Sequence, residues 1–259
     1  MNFKISQRAT FYIYLSALLM LFLFLIIDLI DAIYFPISVA KELGYGERVS
    51  HYYSFFTTQT NYLVAIYFAM LLYYSHFKKT LPIFQVRLAV TVYITITMII
   101  FWMGMIGGAA HIEEYTAYLW IASMTLHLVM PILMIINFVL TSGKEKINSK
   151  IWYHNYLWLI ALYPAVYSIV IIIRGHFRYL DHKPENTLYP YFFFNIDQPY
   201  GWLIATGAII VIFGLVFGLQ YFYIWVNNLM YQRNQKQHQR LITYYGKIWE
   251  KLKKPPKKK

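Results

Sequence analysis

Residues 54–68 read SFFTTQTNYLVAIYF, and this stretch decides how the rest of the chain is interpreted. Five consecutive polar residues, Thr57 to Asn61, stand at the head of a segment that is otherwise apolar enough to cross a bilayer. Polar side chains inside a membrane are costly unless they find partners, so such a cluster is a site hypothesis by default. Thr57 and Asn61 are four residues apart and therefore share one face of a helix. The stretch predicts a membrane-spanning helix that carries part of a polar centre.

The composition of the whole chain agrees with a membrane protein. Of its 259 residues, 59% are hydrophobic and only 13% are charged, whereas about a quarter are charged in soluble domains. One fifth of the residues are aromatic, and tyrosine and tryptophan gather at membrane interfaces. The chain has no cysteine, which excludes disulfides, thiolate metal sites and cysteine nucleophiles.

Six stretches reach the length of about 20 apolar residues that a helix needs to cross a bilayer core. They are predicted at about 10–33, 53–75, 86–107, 117–140, 151–173 and 201–226. Lysine and arginine concentrate near the N-terminus, in the loops after the second and fourth spans, and in the C-terminal tail. The positive-inside rule then predicts an all-α six-span bundle in the cell membrane, with both termini in the cytoplasm.

Two segments outside the predicted spans have a distinct character. Residues 187–201, TLYPYFFFNIDQPYG, are too aromatic for a free loop and are predicted to lie on or dip into the membrane interface. Residues 1–230 form the predicted transmembrane domain, and residues 231–259 form a basic tail in which positions 233–259 hold ten Lys or Arg against one Glu. Apolar residues spaced three to four apart predict an amphipathic helix there, followed by a flexible KKPPKKK end. Anionic lipid headgroups are the expected partner of this tail, and nucleic acid is not.

A second polar group is predicted near the middle of the membrane. His127 lies about ten residues into the fourth span, in the stretch SMTLHLVMPILMI. Pro131 follows it by four residues, and a proline both lacks an N–H and clashes with the carbonyl of residue i−4, here that of His127. A kink at this point would expose a carbonyl beside the imidazole.

The predicted topology brings these groups to similar depths. Asp28 and Asp31 fall in the outer third of the first span, and Arg174 and His176 close the fifth span on the same side. An intramembrane carboxylate is paired, neutral or functional, and Arg174 or His127 are possible partners for Asp28. The alternative interpretation is structural: these side chains, with Thr57 and Asn61, only form hydrogen bonds to neighbouring helices and stabilise the bundle.

Known catalytic and metal-binding motifs are missing from the sequence. It contains no HExxH, no GxSxG, no phosphate loop and no paired-glutamate iron motif. His111, Glu113 and Glu114 do not form a recognised metal-ligand spacing. The sequence therefore predicts neither a metal nor another cofactor.

Three motifs together resemble a prokaryotic six-transmembrane family sometimes written Pr-six-Pr. They are FFTTQTN at the head of the second span, HLVMP in the fourth, and YPYFFFN before the sixth. More remotely, the layout is similar to the androgen-induced and androgen-dependent membrane proteins of eukaryotes. Those are six-span intramembrane hydrolases that cleave fatty-acid esters of hydroxy fatty acids with a threonine nucleophile and a histidine. The resemblance implies Thr57 as the nucleophile and His127 as its base.

The chain departs from the eukaryotic pattern at two places. An aspartate follows the threonine there, whereas Gln59 and Asn61 are the polar neighbours here. The spacing from the histidine to the proline is shorter by one. In the chemistry that the resemblance implies, Gln59 or Asn61 would donate to the oxyanion, and Asp28 would orient the imidazole.

Three functional hypotheses remain open from the sequence. The first is an intramembrane lipid-ester hydrolase that uses Thr57 and His127. The second is a transporter or receptor for a small molecule or lipid whose site is the same polar centre, although no internal repeat of the kind common in transporters is present. The third is a structural membrane protein. The substrate, the direction in which the site opens and the oligomeric state are not determined by the sequence.

Overall fold

The structure is a computed structural model that describes the backbone of residues 7–36, 38–106 and 116–253. Side chains are described for these residues except 7, 38, 39, 247, 248 and 250–253. The described part of the chain is helical and contains no β-strand, which agrees with the predicted all-α class. Its α-helices are α1 (Gln7–Tyr34), α2 (Tyr45–Ser54), α3 (Phe56–Tyr73), α4 (Phe84–Ile106), α5 (Ala117–Met124), α6 (Met130–Thr141), α7 (Ser149–Asn155), α8 (Leu157–Leu180) and α9 (Gly201–Lys253).

Several helical segments are long and apolar enough to cross a membrane. Five qualify alone among the described residues: Arg8–Tyr34, Phe84–Ile106, Ala117–Thr141, Ser149–Leu180 and Gly201–Gly246. These five coincide with the first, third, fourth, fifth and sixth predicted spans. The second predicted span falls on α3, which joins α2 at an angle of 74°, so that the pair forms either one broken span or a re-entrant segment.

The break between α2 and α3 is the main departure from a simple run of spanning helices. A single helix was predicted from residue 53, but Phe55 adopts an extended conformation, with φ −77° and ψ 130°. Hydrogen bonds within the helix are lost at such a break and need other partners. The Tyr167 hydroxyl from α8 supplies them, because it donates to the Ser54 carbonyl at 2.8 Å and accepts from the Phe56 N–H at 3.1 Å.

Helix α4 lies at the centre of the bundle and packs against α3, α6 and α9. Its residues from Val90 to Thr97 are buried throughout. Two buried threonines on this helix satisfy their hydroxyls locally, since Thr91 and Thr95 each donate to the carbonyl four residues earlier at 2.7 Å. Short polar side chains of this kind allow close helix packing without leaving an unpaired group.

The connection between α8 and α9 folds back into the bundle. The aromatic segment predicted to dip into the interface contains single 3-10 turns at Glu185–Thr187 and Phe192–Phe194. Leu188, Tyr189 and Phe194 in this segment are buried. We call the end of the bundle that carries α2 and residues 181–200 the loop end, and the end that carries residues 141–148 the tail end.

Helix α9 continues without a break through the predicted domain boundary at residue 230. From Gln232 to Gly246 its side chains are exposed, including Leu241, Ile242 and Tyr245 of the predicted apolar face. The predicted amphipathic tail is therefore a direct extension of the last apolar helix. The end of the predicted flexible KKPPKKK segment, residues 254–259, lies outside the described residues, as do Gly107, His111, Glu113 and Glu114.

Candidate functional site

A cavity of about 1180 Å³ opens among the helices at the loop end. Its lining comes from α1, α2, α3, α4 and α9, from the helical turn between α5 and α6 that contains His127, and from the loop before α9. Its polar lining includes Asp28, His51, Thr57, Thr58, His127 and Tyr191. Apolar side chains such as Phe101, Met105, Val211, Ile212, Leu215 and Phe193 form much of the remaining wall. The two residues that the sequence singled out for chemistry thus face one common volume.

Thr57 occupies the first turn of α3, immediately after the break, and is only 8% exposed. Its backbone N–H donates to the hydroxyl of Tyr191 at 3.3 Å. Thr58 lines the same cavity. The break brings the start of α3 to the cavity wall, and the partial positive charge of a helix N-terminus favours negative charge nearby. Thr57 therefore meets the cavity where a developing negative charge would be stabilised.

His127 lies in a π-helical turn, Thr125–Val129, between α5 and α6. The carbonyl that Pro131 frees accepts a hydrogen bond from Trp102 Nε1 at 3.1 Å, so the predicted exposed carbonyl is present and has a partner. The imidazole stacks on Phe101 with ring centroids 3.8 Å apart and an interplanar angle of 20°. Its Nδ1 is enclosed by protein and has no hydrogen-bond partner. An enclosed, unpaired ring nitrogen in a cavity wall is an unusual feature that calls for an explanation.

Thr57 and His127 face the cavity without touching each other through a hydrogen bond. Within the described part of the chain, no hydrogen bond joins the Thr57 hydroxyl to the ring of His127. Catalytic hydrogen bonds are often long in a site without substrate and shorten only in the reacting complex. Both groups thus line one cavity without a direct hydrogen bond between them.

The carboxylates of α1 reach the cavity, but Asp28 forms no ion pair with Arg174, one of its two possible partners. Asp28 and Asp31 are three residues apart and both line the cavity. Arg174 instead donates to the Ser50 hydroxyl at 3.3 Å and to the Leu188 carbonyl at 3.4 Å, where it ties α8 to α2 and to the loop. Asp28 is thus brought into the site, and Arg174 holds the scaffold around it.

The two amides predicted to stabilise an oxyanion are engaged elsewhere. Gln59 donates to the Tyr53 carbonyl at 2.8 Å and accepts from the Tyr163 hydroxyl at 2.8 Å. Asn61 donates back to the carbonyl of Thr57 at 2.9 Å, and its Oδ1 is enclosed without a partner. Neither amide belongs to the described cavity lining. Their oxyanion role stays a prediction that would require both side chains to turn.

Three further residues of the site were not singled out as site residues by sequence reasoning. His51 and Arg48 of α2 line the cavity, and the Nδ1 of His51 is enclosed without a partner. The Arg48 guanidinium donates to the carbonyls of Ile33, Ala40 and Lys41 at 2.7–3.2 Å. Tyr191 lies within the aromatic motif noted before the sixth span, but its contact with Thr57 joins positions 134 residues apart. No local pattern could have found that contact.

Among the described residues, no group of three or more histidines, aspartates or glutamates is arranged to hold a metal ion. Comparisons of the chain with known protein families, curated proteins and solved structures found no match. The chemistry is therefore inferred from the arrangement of the side chains. A buried hydroxyl, an unpaired imidazole and an apolar wall around one volume are components of a site for acyl transfer.

Proposed function

We propose that this protein is an intramembrane lipid-ester hydrolase in which Thr57 is the nucleophile and His127 is the general base. The observation that carries the proposal is the shared cavity, since both residues line one volume although they lie on different helices. The unpaired Nδ1 of His127 supports it further. A histidine that only locked the bundle would be expected to spend its ring nitrogens on hydrogen bonds to neighbouring helices.

The proposed reaction has two halves. The Thr57 oxygen attacks the ester carbonyl carbon, its proton passes to neutral His127, and the carbonyl π electrons move onto the oxygen. Collapse of this oxyanion expels the alcohol, which takes the proton back from His127, and leaves an acyl group on Thr57. Water activated by His127 then attacks the acyl group, releases the fatty acid and restores the threonine hydroxyl.

The walls of the cavity support an apolar substrate. Phe101, Met105, Val211 and Leu215 line the volume around the two reactive groups, and acyl chains are stabilised by burial against such surfaces. A volume of about 1180 Å³ slightly exceeds the usual range of about 300–1,000 Å³ for small-molecule sites. A lipid ester with a long chain fits these dimensions better than a small polar ester does.

The membrane arrangement belongs to the same proposal. We propose six spans, with α2 and α3 counted as one broken span, both termini in the cytoplasm and the loop end on the outer side of a cell membrane. The distribution of lysine and arginine supports this orientation. The exposed basic extension of α9 would then lie where anionic headgroups of the inner leaflet attract it.

Covalent labelling with a fluorophosphonate probe tests the catalytic proposal. The native protein in detergent or nanodiscs should be labelled, whereas Thr57→Ala should not be labelled because the attacking oxygen is gone. His127→Ala should lose both labelling and ester hydrolysis, and the double variant should lose no more than either single variant, since the two residues act as one unit. Thr57→Ser should keep partial activity, and Thr58→Ala is the matched control.

Two results would decide against the enzyme. Full labelling of Thr57→Ala would show that Thr57 is not the nucleophile. A well-folded native protein that neither hydrolyses esters nor reacts with the probe, but whose His127 is protected from chemical modification by an added lipid, favours a receptor or transporter that uses the same cavity.

A further inference from the structure

The wall of the cavity between α4 and α9 is also part of the outer surface of the bundle. Met103 on α4 and Val211 on α9 both line the cavity, yet they are 64% and 59% exposed. Thr57 lines the same cavity and is buried. A side chain that lines a cavity and is also more than half exposed lies at the rim of an opening. The described part of the chain therefore has a mouth between these two helices.

This mouth occupies only the loop-end part of the contact between α4 and α9. Nearer the tail end the two helices are joined, since a hydrogen bond of 2.8 Å links the hydroxyls of Thr95 and Tyr223. Ile96 and Val216 are buried in one apolar cluster between the same helices. The helix pair is thus closed near its middle and lined by the cavity one to two turns beyond.

The rims of the mouth are apolar and lie within the membrane-spanning segments. Both helices are long and apolar enough to cross a bilayer. The part of α9 that lines the cavity, residues 208–215, lies about 10–21 Å along the axis from Gly201 at 1.5 Å per residue. Its cavity-lining side chains are Ala208, Val211, Ile212 and Leu215, and Ile100 lies opposite on α4. Hydrocarbon chains, and not water, surround a protein surface at this depth.

The mouth is close to the proposed base. Phe101 lies two residues before Met103 on α4, lines the cavity and stacks on the ring of His127 with centroids 3.8 Å apart. Trp102 Nε1 donates to the His127 carbonyl at 3.1 Å, which fixes this turn of α4 against the histidine. A chain that enters between α4 and α9 therefore passes within one helical turn of the residue that stacks on the imidazole.

The opposite part of the cavity lining is polar. Glu185 and Asn186 belong to the loop before α9, line the cavity and are exposed. Gln198 from the same loop also lines it. The cavity thus offers polar groups towards the loop and apolar rims between the two helices, an arrangement that fits a molecule with a polar headgroup and a hydrocarbon chain.

We propose that the seam between α4 and α9 is the entrance for the substrate, and that the substrate is a lipid already dissolved in the membrane leaflet at the loop end. Its acyl chain passes between Met103 and Val211, and its ester group reaches Thr57 and His127. The chemistry in this statement rests on the proposed function. The addition is the source of the substrate, which is the membrane and not the surrounding water.

Gly104 offers a way to narrow the mouth without disturbing the bundle. It lines the cavity, and a Cβ added to it would meet no neighbouring group of the described chain within 4 Å. Leucine also favours a helix more than glycine does. Gly214 on α9 has the same free space but does not belong to the described cavity lining. Gly214→Leu is therefore the matched control for Gly104→Leu.

The test uses the full-length protein in nanodiscs that contain a phosphatidylcholine with a diazirine at the end of one acyl chain. After illumination, mass spectrometry compares crosslinks at the buried first turn of α3, which carries Thr57, with crosslinks at Leu203, which is exposed on α9. Gly104→Leu should lower this ratio by about tenfold, because the added side chain overfills an apolar passage. Gly214→Leu should leave the ratio at its native value.

Val211→Phe narrows the mouth from the other rim and should lower the ratio as well. Because Val211 is more than half exposed, the larger side chain has room there, so this variant serves if Gly104→Leu does not fold. A native protein without crosslinks at the first turn of α3 would overturn the entrance. An unchanged ratio in folded Gly104→Leu and Val211→Phe would do the same.

Labelling with two fluorophosphonates separates the entrance from the site. A dodecyl fluorophosphonate dissolved in the nanodisc should label Gly104→Leu about tenfold more slowly than the native protein. A short-chain, water-soluble fluorophosphonate should label both at the same rate, because it reaches Thr57 from the polar part of the cavity. Equal slowing of the two reagents would show that the substitution damages the site itself, and the entrance would be rejected.

The two proposals fail in different ways. Crosslinking requires no catalysis and can be repeated with Thr57→Ala. Native-rate labelling of Thr57→Ala, with crosslinks that still depend on residue 104, overturns the hydrolase and leaves the seam as a lipid entrance. Labelling that requires Thr57, with crosslinks that ignore residues 104 and 211, overturns the entrance and leaves the hydrolase proposal intact.

Discussion

Two asparagines near the tail end and two histidines of the cavity wall use their hydrogen-bonding groups in opposite ways. Near the tail end, the Asn227 amide of α9 accepts from the Gly143 N–H at 2.9 Å and donates to the Glu145 carbonyl at 3.0 Å. Asn228 likewise accepts from and donates to the backbone of Ile147, both at 2.9 Å. At the loop end, His51 and His127 each leave an enclosed ring nitrogen without a partner.

This difference separates polar residues that hold helices together from polar residues that leave part of their hydrogen-bonding capacity unused. A buried amide whose donor and acceptor are both used stabilises the loop between α6 and α7 against α9. An enclosed imidazole that is not used costs stability and persists for some other reason. The same residue classes inside a membrane therefore require their hydrogen bonds to be counted before a function is assigned to them.

The two ends are proposed to face opposite sides of one membrane. The accessibility of introduced cysteines to an impermeant reagent tests this arrangement, and the expected difference is all or none. The native chain has no cysteine, so single cysteines can be introduced without background. On intact cells, Asp181→Cys at the loop end should react with an impermeant maleimide, and Lys144→Cys at the tail end should react only after permeabilisation, because basic loops stay in the cytoplasm. Reaction of Lys144→Cys on intact cells would reverse the proposed orientation.

A pair of substitutions sharpens the contrast in stability. Asn227→Ala leaves the Gly143 N–H and the Glu145 carbonyl without their partner and should lower the free energy of unfolding by about 1–3 kcal/mol. His127→Phe keeps a flat ring on Phe101 and removes the unpaired nitrogen, so it should leave that free energy unchanged or raise it by up to about 1 kcal/mol. Denaturant titration in detergent measures both variants. The comparison fails if His127→Phe destabilises the bundle as much as Asn227→Ala does.

The smallest expected effect lies beyond the tail end, on the exposed extension of α9. A peptide of residues 231–259 should bind anionic vesicles more tightly than neutral ones, and the difference should shrink as salt screens the charges. Arg240→Gln should weaken binding to anionic vesicles by about 1 kcal/mol, or about fivefold. Thr243→Ala is the control and should bind as the native peptide does. Equal binding to both vesicle types at low salt would show that the basic residues have another purpose.

The sequence by itself determined the apolar segments and the residues worth attention within them. Among the described residues, five of the six predicted spans coincide with single long apolar helices, because a segment's length and apolarity are local properties. Thr57, His127 and Asp28 stood out because each is polar within an apolar stretch, and all three line one cavity. The carbonyl freed by Pro131 was likewise predictable, because the clash of a proline with residue i−4 is a local effect.

Only the tertiary structure decided which of these groups meet. Gln59 and Asn61 were predicted to serve the reaction because of their closeness to Thr57 in sequence, but Tyr163 on α8 holds Gln59 and Asn61 folds back on its own helix. Tyr191 reaches Thr57 because the loop before α9 turns into the bundle. Helical periodicity fixes the face on which a side chain lies. The rotation of each helix and the path of the long loop fix its neighbours, and both follow from the packing of the whole bundle.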